Sequence, residues 1–201
     1  ISGKTCPVTV TNASIASPVV SVPKSTYTIP KSTPFVLTGS ATDANSSDIL
    51  TYCWEQNDNA SSSQTGTSSV ASDTKSSGPN WISYKPTTSP IRLFPKLSTI
   101  LAGGTLSGPL LGGDAGANTE ALSSVARTLN FRLTVRDNAP YSSTAPVSVG
   151  QTQFADVVVT VSAASGGGGS GATITISLTG GAVTAAKGTA VTITATVSTA
   201  G

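Results

Sequence analysis

The sequence predicts an all-β chain: an antiparallel β-sandwich with a long irregular insertion, followed by the start of a second β domain. Three observations predict it. Apolar and polar residues alternate with a period of two in several short segments, the pattern of strands with one wet face. Thr, Val, Ser, Gly and Pro dominate, and no long stretch repeats apolar residues at helical spacing. Clusters of Asp, Asn, Gly and Pro separate the alternating segments, as turns require.

The elements follow in order. Ile15 to Pro23 is a first extended segment, and Pro18 and Pro23 suit it to a sheet edge. Thr33 to Ala41 places Phe35, Leu37 and Gly39 on one face. Ile49 to Glu55 sets Leu50, Tyr52 and Trp54 against Thr51, Cys53 and Glu55, so a tryptophan-bearing strand buries one side. Leu129, Phe131, Leu133 and Val135 repeat the pattern, with Asn130, Arg132, Thr134 and Arg136 facing water. Phe154 to Val161 closes the domain with Val157, Val159 and Val161 inward. The expected core is therefore Leu50, Tyr52, Trp54, Leu129, Phe131, Leu133 and Val135.

Asp58 to Val125 breaks this plan. A Ser-rich stretch from Ala60 to Ser77 precedes Trp81 and Tyr84; Leu93 and Phe94 come next, then a short helical candidate from Pro95 to Ala102 and a Gly-rich tract from Gly103 to Gly116. Connections of this length are uncommon unless functional or disordered. Trp81, Tyr84, Leu93 and Phe94 are too apolar for disorder. They either cover a sheet edge or form an interaction surface for a neighbouring domain or partner.

Residues 1–164 form the first domain in this reading and 165–171 a Gly-rich flexible linker. Residues 172–201 begin a second domain, with strands from Ala172 to Leu178 and Thr189 to Val197. So short a hairpin cannot bury a core of its own. It belongs to a tandem array or completes a sheet in another molecule.

Composition narrows the function. Eleven Lys plus Arg face nine Asp plus Glu, and a net charge of +2 leaves no electrostatic footprint for nucleic acid. No apolar run reaches the ~20 residues of a membrane span. The initial Ile1 and the absence of Met give the expectation of a mature, processed or excised chain. Histidine is absent, which removes Ser-His-Asp and Cys-His nucleophile activation and imidazole zinc sites. Ser21 to Lys24 and Ser72 to Lys75 have Ser-x-x-Lys spacing, but Pro23 and a Ser-rich loop deny them the helical turn that this pairing needs. The expectation is a protein that is not an enzyme.

Cys6 and Cys53 are the only thiols. An even count in a secreted-looking composition favours a Cys6–Cys53 disulfide, with free buried thiols as the alternative. Closing so long a loop would stabilise by roughly 4 kcal/mol.

The run from Thr28 to Asp43, leading into Leu50 to Gln56, is followed by Arg92 to Leu97 and by Ser124 to Asn138. Together they resemble a β-sandwich module found after the catalytic domain in large secreted metalloproteases of Bacteroidetes-type bacteria. The resemblance spans Cys6 to Val161. More loosely, Ala41 to Asp43 with Leu50 to Trp54 looks like polycystic-kidney-disease (PKD-like) and cadherin-like repeats. It implies an immunoglobulin-like fold and an extracellular accessory module, secreted and surface-attached. The His-Glu-x-x-His zinc helix of the protease part has no counterpart here.

Asp43, Asn45 and Asp48 lie in one turn, and Asp137 and Asn138 follow another strand. Hard oxygen ligands at one pole of a sandwich could bind calcium, and plain turn capping explains the same residues. No other cofactor is expected. Arg127, Arg132 and Arg136 could meet an acidic glycan, and Arg132 and Arg136 also lie on the expected wet face of a strand. Tyr27, Trp81, Tyr84 and Tyr141 could stack on sugar, or simply pack. Asn12, Asn45 and Asn59 match the glycosylation acceptor pattern.

These readings converge on a non-catalytic extracellular structural or interaction module of a large secreted or cell-surface bacterial protein. The alternative is a self-assembling surface fibre or adhesin subunit, completed by intermolecular strand pairing. The expected partners are neighbouring domains of the same or identical chains, a homopolymer, or a glycan.

Overall fold

The computed structural model describes residues 16–114, 116–144 and 148–165. The chain divides into two units, Ile1–Ser165 and Gly166–Gly201. Cys6, Asn12, the expected linker past residue 165 and the hairpin over 172–201 lie outside the described residues.

The described body is mostly β-strands in several sheets, with one short α-helix and a single 3-10 turn at Gly66–Ser69. Its largest sheet has four strands, in the order β2 (Thr26–Lys31), β10 (Thr152–Ser165), β9 (Arg127–Arg136), β5 (Thr51–Gln56). Strand β9 shows why: its residues alternate between buried and accessible throughout, and Leu129, Phe131, Leu133 and Val135 are all buried. It pairs antiparallel with β10 from Thr152↔Arg136 to Val161↔Arg127, and with β5 from Thr51↔Arg136 to Gln56↔Phe131. That register brings Val157, Val159 and Val161 onto the inner face beside Phe131, Leu129 and Trp54.

Smaller pairs complete the body. β1 (Val19–Ser21) pairs with β4 (Ser40–Thr42), β3 (Phe35–Thr38) with β6 (Ile91–Phe94), and β7 (Leu106–Ser107) with β8 (Glu120–Ala121), all antiparallel. Helix α1 (Leu97–Leu101) follows β6. The β3–β6 pair faces the large sheet through aromatic rings. Phe94 lies 4.7 Å from Phe131 and 4.8 Å from Phe35, between ring centroids, and Trp81 meets Phe94 edge-on at 5.3 Å.

Four expectations are corrected. The sheets are not purely antiparallel, because β2 runs parallel to β10. β2 itself was hidden by Pro30, which cannot donate to a ladder. The position is tolerated because β2 is an edge strand bonded on one side only. The expected strand over 33–41 is broken at Gly39 into β3 and β4. A Cβ there would run into the Leu133 side chain, with Ser21 O 3.2 Å away, so the chain needs glycine where two layers touch. The first segment contracts to Val19–Ser21, flanked by its prolines. Of the expected core, Trp54, Leu129, Phe131, Leu133 and Val135 are buried, whereas Leu50 and Tyr52 are only half-buried against it.

Candidate functional site

The excursion between β5 and β9 is wired to the sheet by charged side chains that bond to main chain. The Lys75 ammonium donates to the carbonyls of Ser69 and Pro79, each at 2.9 Å. Arg127, at the buried start of β9, donates to Lys75 O at 2.8 Å and to Gly78 O. Burial pushes the pKa of both groups down, Lys75 also because Arg127 is near. Asn80, fully buried, exchanges bonds with Ser72 in both directions (3.2 and 2.7 Å), and its own N–H donates to Gln56 on β5. Asp58 accepts from the Asn130 amide and main chain at 2.6 and 3.1 Å.

A buried ion pair fixes the second half. Arg92 on β6 donates to Glu120 Oε1 at 3.1 Å, to Ile82 O at 2.7 Å and to Trp54 O; Glu120 Oε2 accepts from Lys96 N at 3.0 Å. Glu120 is wholly enclosed and Arg92 nine-tenths so. The guanidinium is stacked between the rings of Tyr84 and Phe94, 4.6 Å from each. Neither Glu120 nor this pairing was visible in the sequence, since nothing local distinguishes Glu120 from any other carboxylate.

Beside this pair runs a groove of about 280 Å³ between β5 and the segment leading into β6. Tyr52 and Cys53 form one wall; Tyr84, Lys85 and Thr87 form the other. Tyr52 and Thr87 bridge its end with reciprocal main-chain bonds of 2.7 and 3.1 Å. Cys53 is a free thiol that donates to Tyr84 O at 3.3 Å. Burial, then the nearby Glu55 carboxylate, pushes its pKa up. No disulfide is present among the described residues, which do not include Cys6.

The Asp and Asn turns meet at one end of the large sheet. Asn138, with φ of 54°, donates its amide to Ile49 O at 2.7 Å and to Thr51 Oγ1 at 2.9 Å, tying one turn to the other. Asp137 is buried, and its Oδ1 accepts from Ala139 N and Gln151 N at 3.1 and 2.8 Å. Asp43 Oδ1 accepts from Asn45 N at 2.8 Å, and Asp48 N donates to Asn45 O at 3.0 Å. These are the bonds of turn caps. Asp43 Oδ2 and Asn45 Oδ1 are buried with no donor among the described residues. Among the described residues, no three acidic, Cys or His side chains gather where they could hold a metal.

Several expected site residues stand elsewhere. Trp81 and Phe94 are 4 % and 0 % exposed, so they belong to the core and not to an interaction surface. Leu93 is half-buried, and Tyr84 alone of the four opens to solvent, at 37 %. The long apolar side chains of the excursion were needed to cover β5 and β9, which explains the burial of Trp81 and Phe94. Arg127 is committed to carbonyls. Arg132 forms a two-pronged pair with Asp156 at 2.7 and 2.9 Å and lies 3.8 Å over the Phe154 ring, while Arg136 is exposed. Lys75 reaches carbonyls and not the Ser72 hydroxyl, which pairs with Thr74. No helix among the described residues is long and apolar enough to cross a membrane.

No known family, curated protein or solved structure matches this chain.

Proposed function

We propose that this chain is a non-catalytic, immunoglobulin-like β-sandwich module that serves as a stiff extracellular spacer and interaction domain in a large secreted or surface protein. The observation that carries the reading is the anchoring of the excursion. It is tied to the sheet at three points: Arg127 on β9 donates to Lys75 O and Gly78 O, Asn80 N donates to Gln56 on β5, and Arg92, held by Glu120, donates to Trp54 O on β5. A connection of this length would otherwise open first when the domain is pulled or attacked by protease. The parallel β2–β10 pair beside an antiparallel β10–β9–β5 ladder, with Trp54 in the core, supports the immunoglobulin-like comparison.

Two measurements test it. Limited proteolysis of the whole chain leaves the span from residue 16 to 165 intact while unfolded chain is digested; rapid cleavage within 60–77 would defeat the stiff-spacer reading. Truncation after Ser165 leaves a soluble monomer by light scattering. If the full chain forms large particles and the truncated one does not, the module is a fibre subunit and the spacer reading is wrong.

A further inference from the structure

The groove beside Arg92 has the chemistry of a ligand site. We propose that it binds a short stretch of an acidic polysaccharide, a chain of uronic-acid units. Among the described residues no carboxylate lines the groove, although Glu55 lies near Cys53. Lys85 projects from its rim, exposed and in no ion pair among the described residues. The Arg92 guanidinium forms part of the wall. Its terminal nitrogens bond to Trp54 O, Ile82 O and Glu120, so Arg92 braces the wall and Lys85 is the cation open to a ligand.

The aromatic part is equally specific. Arg92 supports one face of the Tyr84 ring at 4.6 Å, and the ring remains 37 % exposed. A ring held in this way offers its electron-rich face to the polarised C–H groups of a pyranose. The exposed hydroxyls of Thr87 and Ser89, also in the lining, can bond to sugar hydroxyls. The groove is smaller than the ~300–1,000 Å³ of sites that enclose a free small molecule. It suits part of a polymer that continues into solvent.

An acidic peptide that adds a strand to β5 would satisfy the charge but not the geometry. An extended peptide that docks on a sheet edge does so by extending the ladder. Here the Tyr52 edge groups already pair with Thr87, and Trp54 O is taken by Arg92. The ligand must therefore be recognised by side chains alone.

The test titrates the full chain with short oligogalacturonates, with their methyl esters, and with polyglutamate of similar charge, and follows amide shifts by NMR. The expected result is binding of the free acid with a dissociation constant on the order of 0.1–1 mM, with shifts at Tyr84, Lys85 and Thr87. The ester loses about tenfold in affinity, as does Tyr84→Ala or Lys85→Ala, while Lys24→Ala, at an exposed lysine elsewhere, binds normally. If Tyr84→Ala fails to fold, Lys85→Ala decides. Equal binding of acid and ester, equal binding of polyglutamate, unchanged binding by the Lys85 variant, or no binding at several millimolar would each overturn the assignment.

Discussion

Glu120→Gln is the sharpest probe of whether the excursion belongs to the core. Gln keeps the shape, and its carbonyl can still accept from Lys96 N, now 3.0 Å from Glu120 Oε2. It removes only the charge facing Arg92, whose side chain is 9 % exposed against 0 % for Glu120. The guanidinium would then be an uncompensated buried cation, a condition that costs about 3–5 kcal/mol. With an m-value of about 1–3 kcal/mol/M in urea, the unfolding midpoint falls by at least about 1 M at unchanged m. The double variant Arg92→Met, Glu120→Leu removes both charges and recovers most of the loss, because an apolar pair of similar volume does not have to desolvate ions. Urea unfolding followed by tryptophan fluorescence reads this directly, since Trp54 and Trp81 are both buried in the same cluster. A loss below about 1 kcal/mol for Glu120→Gln would place the pair in the class of solvated surface bridges. The excursion would then be a separable flap and not part of the domain.

Other expected outcomes follow from single sites. Gly39→Ala destabilises by about 1–3 kcal/mol in thermal or urea unfolding, because the new methyl collides with Leu133 between two layers. The Cys53 thiol reacts with iodoacetamide more slowly than a thiol in unfolded chain, with its pH–rate midpoint shifted upward; a normal midpoint would show that the groove wall is open to water. Under oxidising conditions we expect Cys53 to bridge to Cys6, which peptide mapping without reductant detects. The Arg132 pair holds the Asp156 carboxyl below its usual range, chiefly by hydrogen bonding, so its contribution is complete above about pH 4 and is lost as pH falls through the lowered folded value. The stability gap between the parent and Asp156→Asn therefore closes with acidification; a gap that widened would reverse the sign of this linkage. Calcium at about 1 mM leaves the thermal midpoint unchanged, whereas a rise of several degrees would give Asp43 and Asn45 a cation to hold.

What the sequence made legible was periodic and local. Leu129 to Val135 alternate over a strand long enough to declare its buried face, and Val157 to Val161 do the same. The short helix after Pro95 was legible for a similar reason, being a compact run of helix-tolerant residues. β2 was illegible because Pro30 forbids a central strand, and only the topology shows that β2 lies at an edge. The split at Gly39 depends on Leu133, almost a hundred residues away. The groove was harder still. The sequence groups Tyr84 with Trp81, Leu93 and Phe94 as an interaction surface and with Tyr27, Trp81 and Tyr141 as a sugar platform, and Arg92 only with a family-like run. The stacking of Tyr84 and Arg92 results from the Glu120 pairing, a contact between residues 28 apart in sequence. The calcium reading came from residue type alone, while the coordinates reveal which oxygens were already spoken for by main-chain N–H groups.

The anchors of the Ser-rich tract grip carbonyl oxygens, which every amino acid supplies alike. Lys75 and Arg127 thus recognise the path of the chain and are indifferent to the side chains along it. Such a scaffold can accept new residues at the exposed positions 61–63, 65, 67 and 69 without renegotiating its attachment to the sheet, while Gly66, at positive φ, and Ser68, whose hydroxyl bonds to Ser63 and Thr65, keep the turn. In evolution, or in the laboratory, that stretch is a place where a different epitope or binding sequence can be written onto a framework that stays the same.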